Sequence, residues 1–354
     1  MQIGYMPDTH GGPYEQPAPT REAAARFCDQ LLEEGIVAER AGFDGLFLPE
    51  RHHRTETMFP PPLPLLAAYA VRTQRVQLGT FVLQPPYYNP MHLAEDVAMI
   101  DLMSKGRVVL GIGIGYHPDY FRLFGEPYAQ RAGRFEESIE ILRLAWSREK
   151  PFSFAGKHYR LDDVVLTPKP YQPGGPPLWI GAAYPKAIER AGRLGDGWGI
   201  LPFWESKQNI RDQARLYRET AARHGRPSTR VVLMRDGWVA PTREEAERVF
   251  GPLWVQEMLF YFRWNLLPPN PEFRSEADFT VEKLRKYMIL GSPQDCIAQI
   301  EEWSESVGID TLIMRFRLPM GPEPARVLDC IRQFGAEVLP AIRRRGDAAA
   351  PGRA

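Results

Sequence analysis

The chain is poor in cysteine, in net charge and in long apolar runs, and each shortage removes a class of protein. Its 354 residues hold three cysteines, Cys28, Cys296 and Cys330, far apart and without the spacing of a zinc site. A disulfide-rich secreted scaffold is thereby excluded, a single disulfide is left open, and a reduced cytoplasmic protein is the expectation. Lysine and arginine number 44 against 44 aspartate and glutamate, so no field draws the protein to nucleic acid or to an anionic membrane. A small organic molecule is the better partner. No stretch of about 18 apolar residues runs uninterrupted, as a membrane span requires. Met1 to Met6 reads as a strand and not as the charged lead of an export signal.

What the sequence has in abundance is alternation. Eight strand-like runs occur: Gln2 to Met6, Phe43 to Leu48, Val76 to Leu83, Arg107 to Gly113, Leu178 to Ala182, Trp198 to Leu201, Arg230 to Val239 and Thr311 to Phe316. Helical periodicity fills the intervals, in Arg21 to Ala41, Met91 to Met103, Arg131 to Trp146, Pro185 to Leu194, Lys207 to His224, Arg243 to Phe262 and Ser292 to Val307, with Glu323 to Arg343 closing the chain. This alternation predicts an α/β fold, a (β/α)8 TIM barrel forming one domain over residues 1–343. A doubly wound sheet is the alternative, but it needs fewer units and would leave the last third as a separate domain, and no linker is visible. Two insertions interrupt the pattern. Residues 151–177, rich in Pro and Gly and carrying Phe152, Phe154 and Tyr159, predict a small hairpin before the fifth strand. Residues 265–279, around Leu266-Leu267-Pro268-Pro269-Asn270-Pro271, read as an irregular lid or subunit contact. Residues 344–354 are expected to be a disordered tail.

In such folds the crevice lies at the carboxyl ends of the strands. The second run follows Gly42, where a helix would stop, and ends in Glu50-Arg51-His52-His53. His52 and His53 can hold or donate a proton near neutral pH, Glu50 can orient an imidazole, and Arg51 can bind substrate. The plainer reading bonds one histidine to Glu50 and leaves the other in solvent. No metal is expected, because adjacent histidines point apart and no second pair has ligand spacing. Gly111, Gly113 and Gly115 form GxGxG at a strand end, yet Tyr116-His117-Pro118-Asp119 does not open a helix with a third close-packing glycine. A flat ring or phosphate approaching the backbone fits these glycines better than a dinucleotide. Gly181-Ala182-Ala183-Tyr184-Pro185-Lys186 leads into a helix whose N–H groups would hold a phosphate, or it is a plain strand-to-helix turn. Tyr5, Thr80, Tyr116, His117, Arg235 and Arg315 fall at or near strand ends, and of these Tyr5, His117 and Arg315 join Arg51 as substrate candidates. The aromatics Trp254, Phe260, Tyr261, Phe262 and Trp264 fit a cover over an apolar substrate, a helix core or a dimer face.

Several motifs recur in a fixed order. They are Glu50-Arg51-His52-His53, Gly79-Thr80-Phe81-Val82-Leu83-Gln84-Pro85-Pro86-Tyr87-Tyr88-Asn89-Pro90, Ala94-Glu95-Asp96-Val97, Met103-Ser104-Lys105-Gly106-Arg107 and Gly111-Ile112-Gly113-Ile114-Gly115-Tyr116. Phe124-Gly125, Arg134-Phe135, Pro177-Leu178-Trp179-Ile180-Gly181, Gly195-Asp196-Gly197-Trp198 and Gly308-Ile309-Asp310 complete the set. Over nearly its whole length the chain thus resembles the bacterial luciferase-like flavin monooxygenases and their deazaflavin-dependent relatives. The resemblance implies a barrel holding FMN, or the deazaflavin F420, with the ring over a bulge in the third strand. Matched residue by residue, that bulge falls at Phe81-Val82 beside Thr80, and its peptide is cis. Gly113, Gly115, Tyr116, Gly181, Ala182, Ala183 and Tyr184 are the other implied cofactor contacts. His52 takes the place of the histidine that handles the reduced flavin and its C4a-peroxide. Ile114 stands where an arginine is expected, and Tyr184 near an expected serine. The implied activity is a monooxygenase that receives reduced FMN from a separate reductase and uses O2 to oxidise a small organic substrate. An F420-dependent hydride transferase is the alternative, made more credible by Ile114. A catalytically silent barrel subunit is the third, against which His52 and the glycine loops argue. A homodimer is expected.

Overall fold

The computed structural model describes residues 1–354 except 13, 15–16, 201–204, 227–228, 266, 268–269 and 350–354. Its strands are β1 (Gln2–Tyr5), β2 (Gly45–Leu48), β3 (Gln77–Thr80), β4 (Val108–Ile112), β5 (Phe152–Ala155), β6 (Arg160–Val164), β7 (Leu178–Gly181), β8 (Gly197–Ile200), β9 (Arg230–Val239), β10 (Ile289–Gly291) and β11 (Thr311–Arg315). The helices are α1 (Arg21–Ala41), α2 (Pro62–Arg72), α3 (Pro90–Ser104), α4 (Pro118–Leu123), α5 (Arg131–Ser147), α6 (Pro185–Leu194), α7 (Lys207–Arg223), α8 (Arg243–Arg263), α9 (Val281–Leu284), α10 (Pro293–Val307), α11 (Pro324–Gln333) and α12 (Leu339–Ala349).

Parallel pairing runs β1-β2-β3-β4-β7-β8-β9-β11 and returns to β1, closing the α/β barrel expected from the alternation. The last residue expected of the sixth strand, Leu201, lies outside the described residues. Strand β9 outruns its neighbours, and its upper residues Gly237 to Val239 pair with β10, a short strand the sequence pattern did not reveal. Strands β5 and β6 form the antiparallel hairpin predicted before the fifth barrel strand.

Local chemistry sets the helix ends. Thr20 caps α1 by accepting from Ala23 N–H, and Gly42 ends it at φ 100. Ser292 and Asp295 make a reciprocal capping box on α10. Two helices were hidden by proline. In α2, Pro62 occupies the first turn, where the missing N–H costs no helical bond. In α4, Pro118 opens a short helix capped by His117 that was not among the expected helices; as expected, no third glycine accompanies it. The closing helix is interrupted by a π turn at Phe334–Val338 and continues to Ala349, so the chain beyond Arg343 is helical where a disordered tail was expected, and residues 350–354 lie outside the description. In the insertion at 265–279, where residues 266 and 268–269 lie outside the description, Phe273 and Phe279 are buried and pack together with ring centroids 5.0 Å apart.

The barrel is filled by side chains. Met6, Phe47, Phe81, Val109, Trp179, Val232, Met234 and Ile313 form one internal cluster, in which Phe47 stacks on Trp179 at 5.5 Å. Gly4, Gly45 and Gly79 line the space that the Phe47 ring occupies. A larger apolar layer joins the outer strand faces to the helices. The three cysteines are free thiols. No helix among the described residues is long and apolar enough to cross a membrane.

Candidate active site

The third strand leaves regular geometry at its carboxyl end. The Phe81–Val82 peptide is cis, as the resemblance implied. Phe81 N–H donates to Leu48 C=O at 2.8 Å, and the chain re-pairs with β4 as Leu83 N–H donates to Gly111 C=O at 2.8 Å. The Thr80 hydroxyl donates to the same Gly111 carbonyl at 2.6 Å, so it secures the bulge and does not face the mouth. A Cβ on Gly113 would stand 2.8 Å from Val82 Cγ2, and one on Gly181 3.1 Å from Val82 Cγ1. These glycines therefore make room first for Val82, which remains half-buried at the mouth. Gly115, at φ 79, gives up its Cβ space to Phe121 and the Tyr87 hydroxyl.

The loop after β2 is bonded to this bulge. Gln84 N–H donates to Glu50 at 2.6 Å, and the Tyr88 hydroxyl donates to the other carboxylate oxygen. The His52 Nε2 atom then lies 3.3 Å from Glu50 Oε1 without a formed hydrogen bond. Edges or faces of Tyr87, Tyr120 and Phe124 surround the imidazole at centroid distances of 6.0, 5.9 and 4.8 Å. His52 is 7 % exposed. His53, by contrast, is exposed and sits at φ 54. His117 is half-buried, caps α4 through Nδ1, and stacks on Tyr120. Burial lowers its pKa, with Asp119 opposing.

A second, ionic cluster was missed by sequence reading. Arg315 is 2 % exposed and spends its whole guanidinium on carboxylates: Asp8 at 2.5 Å, Asp236 at 2.5 and 3.0 Å, and Glu257 at 3.4 Å. It is a structural cation, not a free substrate contact. Arg51 donates to Asp8 at 2.8 Å and stays near the surface. Burial would raise the Asp8 carboxyl, but Arg51 and Arg315 outweigh it and hold it well below the usual range. Burial pushes Glu257 the other way, up to about 7, against the opposing Arg315. His10 is fully buried beside Asp8, and burial keeps it neutral, its pKa well below the ordinary imidazole value. Arg54, whose side chain is 1 % exposed, lies over Phe260, Tyr261 and Trp264 and donates to the Tyr116 hydroxyl at 3.1 Å. The aromatic run is thus split: those three rings pack on Arg54, Trp254 bonds Asp236 in the core, and Phe262 packs on Phe279.

Two further residues expected at the mouth are elsewhere. Tyr5 turns outward to α1, where its hydroxyl donates to Glu34 at 2.7 Å among Phe43 and Phe316. Its neighbour Gly4 faces the barrel interior, so strand alternation sends Tyr5 out. Arg235 is likewise outside, its guanidinium 4.2 Å from the Trp303 ring, and burial brings its pKa down to about 9.

At the end of β7, Ala182 is buried and its carbonyl accepts from Trp198 Nε1 at 2.9 Å, Ala183 is half-buried, and Tyr184 is 65 % exposed. Tyr184 heads α6 without a side-chain cap. Its carbonyl accepts from Ala187 and Ile188, leaving the backbone around Lys186 as the donor surface for an anion.

The geometry agrees with what the chain is similar to. The luciferase-like monooxygenase family matches residues 1–311. An F420-dependent glucose-6-phosphate dehydrogenase of Amycolatopsis mediterranei is 29% identical over 89% of this chain and 95% of its own. The oxygenase component of a flavin-dependent trigonelline monooxygenase of Acinetobacter baylyi is 26% identical over 89% of each. Among solved structures, a monooxygenase from Streptomyces bottropensis superposes with TM-score 0.82 at 24% identity, covering 96% of this chain and 99% of that one. The FMN-bound oxygenating constituent of 3,6-diketocamphane monooxygenase from Pseudomonas putida gives 0.76 at 19%, covering 97% and 99%. The chain is a member of the luciferase-like monooxygenase family.

Proposed function

We propose that the barrel mouth carries a flavin-type ring over Phe81-Val82 and oxidises a small organic substrate, with His52 as the proton-handling residue. The observation that carries this is the buried His52, walled by Tyr87, Tyr120 and Phe124 and standing 3.3 Å from Glu50, whose carboxylate is itself bonded to Gln84 of the bulge. The residues fit such a group: Val82 offers an apolar platform, and the chain beside it is stripped to glycine at 113 and 181. Gly115, Tyr116, Ala182, Ala183 and Tyr184 edge the same opening, and the head of α6 takes the phosphate. Reduced FMN, when bound, supplies electrons to O2, so that one oxygen atom enters the substrate and the other leaves as water.

Glu50 sits beside Nε2 of His52 and fixes the ring, which assigns proton exchange with the mouth to Nδ1. Arg51 and His117, at the rim, orient the substrate, and His53 exchanges protons with solvent. A separate reductase supplies the reduced flavin.

A second reading, hydride transfer with F420, is favoured by Ile114, which removes a cation from the loop after β4. Oxygen consumption separates the two: coupled turnover with reduced FMN takes up one O2 per product, whereas F420-dependent turnover proceeds without oxygen.

The assembly we propose is a homodimer through α2 and α3. Val71, Met99, Leu102 and Met103 are exposed there. Exposed Glu95 and Asp96 lie toward one end of the patch, and Arg72, Arg75 and Lys105 toward the other. A two-fold axis through the apolar centre pairs opposite charges.

A further inference from the structure

The flank of the barrel carries a groove of about 410 Å³ between α6 and α7. Lys186 from the first turn of α6, Arg190, and Arg193 from its last turn line one side, and Arg223 and His224 at the end of α7 line the other. The helices touch at its base, where a Cβ on Gly192 would stand 2.8 Å from Thr220 Cβ. One carboxylate, Glu189, lines the groove with these cations. Arg190 and Arg193 share Glu136 of α5, at 2.7 and 2.8 Å, and Arg223 donates to the Thr220 hydroxyl at 2.9 Å. The groove is therefore net positive on a chain whose overall charge is balanced.

Its position gives that charge a use. Lys186 belongs both to the head of α6 and to the groove. Lys186, Arg190 and Arg193 follow at i, i+4 and i+7, so they stand on one face over about 10 Å of helix. An extended polyanion leaving a phosphate at the head of α6 meets them in turn. FMN ends at its phosphate and reaches none of the later ones. F420 continues from its phosphate into a chain of glutamates, each with a carboxylate.

We propose that this groove binds the oligoglutamate tail of F420 and selects that cofactor over FMN. The inference rests on placing the cofactor phosphate at α6, and it deepens the second of the two readings above. It also accounts for Ile114: the cationic charge absent from the loop after β4 is supplied on α6 and α7 instead.

The test is an equilibrium titration, followed by cofactor fluorescence, with three probes: F420 with its tail, the same deazaflavin phosphate lacking every glutamate, and FMN. Tailed F420 is expected to bind about tenfold more tightly than the tail-less form at low salt, from several screened ion pairs. That advantage should shrink at about 0.3 M salt. The double variant Arg193→Glu, Arg223→Glu should erase it while leaving tail-less binding unchanged. If the variant does not fold, the salt dependence of the two deazaflavins on the unmodified protein decides. Equal affinity for tailed and tail-less forms overturns the proposal but leaves the phosphate site standing, and it is the result expected if the groove serves an acidic protein. An advantage that survives charge reversal places the tail elsewhere and also overturns it. Failure of all three probes to bind removes the phosphate site and the groove together.

Discussion

His52 Nε2 stands 3.3 Å from Glu50 Oε1, and Glu50 is held in turn by the backbone of Gln84 and the hydroxyl of Tyr88. In the proposed function Glu50 is thus a positioning residue, and His52 the group that meets the chemistry. His52→Ala should lower coupled oxidation by about 10²-fold or divert it to unproductive oxygen consumption, with cofactor affinity retained. Glu50→Gln can still accept from Gln84 N–H through its amide oxygen, but it puts an NH2 donor where the other oxygen accepted from Tyr88 and removes the charge, and should give an intermediate loss in kcat with little change in KM. Product yield per O2 and cofactor titration measure both. Unchanged coupled turnover in His52→Ala would remove its role.

The bulge and its glycines form one unit. Gly113→Ala places a methyl group 2.8 Å from Val82 Cγ2 and should destabilise the protein by about 1–3 kcal/mol while weakening cofactor binding. Adding Val82→Ala clears the clash, so the double variant should be more stable than the sum of the single changes predicts. Urea denaturation of the three variants tests this; strict additivity would show that Val82 and Gly113 do not meet.

Glu257 predicts a pH dependence with a definite sign. Its carboxyl titrates near 7 in the folded protein against 4.5 when unperturbed. Between those values the folded state binds more protons than the unfolded one, so stability falls as pH rises through the window, by up to roughly 3 kcal/mol. Glu257→Gln should flatten the dependence in denaturation experiments at about pH 5 and 7.5. Asp8 acts in a separate range. Its depressed pKa adds stability above the ordinary carboxylate range that is lost only as pH falls below it. An unchanged slope in Glu257→Gln would assign the titration to another group.

The α2–α3 patch predicts that Leu102→Arg separates the dimer without loss of fold. Light scattering should report a halved mass with an unchanged circular dichroism spectrum. A monomeric unmodified protein would contradict the proposed assembly.

The barrel was legible because each buried strand is a short apolar run between helical periods. Strand β10 escaped because three residues, Ile289 to Gly291, carry no period, and their pairing depends on β9 outrunning its neighbours. Helix α2 escaped because Pro60, Pro61, Pro62 and Pro64 read as a breaker, though Pro62 is at home in a first turn. Within the site, Glu50 and His52 announced themselves by ending an apolar run. Asp8, His10, Arg54 and Glu257 did not, because their burial arises only when distant loops and α8 meet: Met58 N–H donates to Thr9 C=O, and Arg54 reaches the rings of α8. Tyr5 was misplaced by one step of strand alternation, a phase that the paired glycines Gly4 and Gly45 around Phe47 reveal.

A flavin-type ring on the Phe81-Val82 bulge is tested by titrating FMN and F420 into the unmodified protein and into Val82→Trp. At least one cofactor should bind saturably to the unmodified protein, and Val82→Trp should weaken that binding by tenfold or more while the protein stays folded, since the indole fills the ring's place (about 1.4 kcal/mol). Binding of neither cofactor, or equal binding by the variant, would show that no flavin ring rests on Val82.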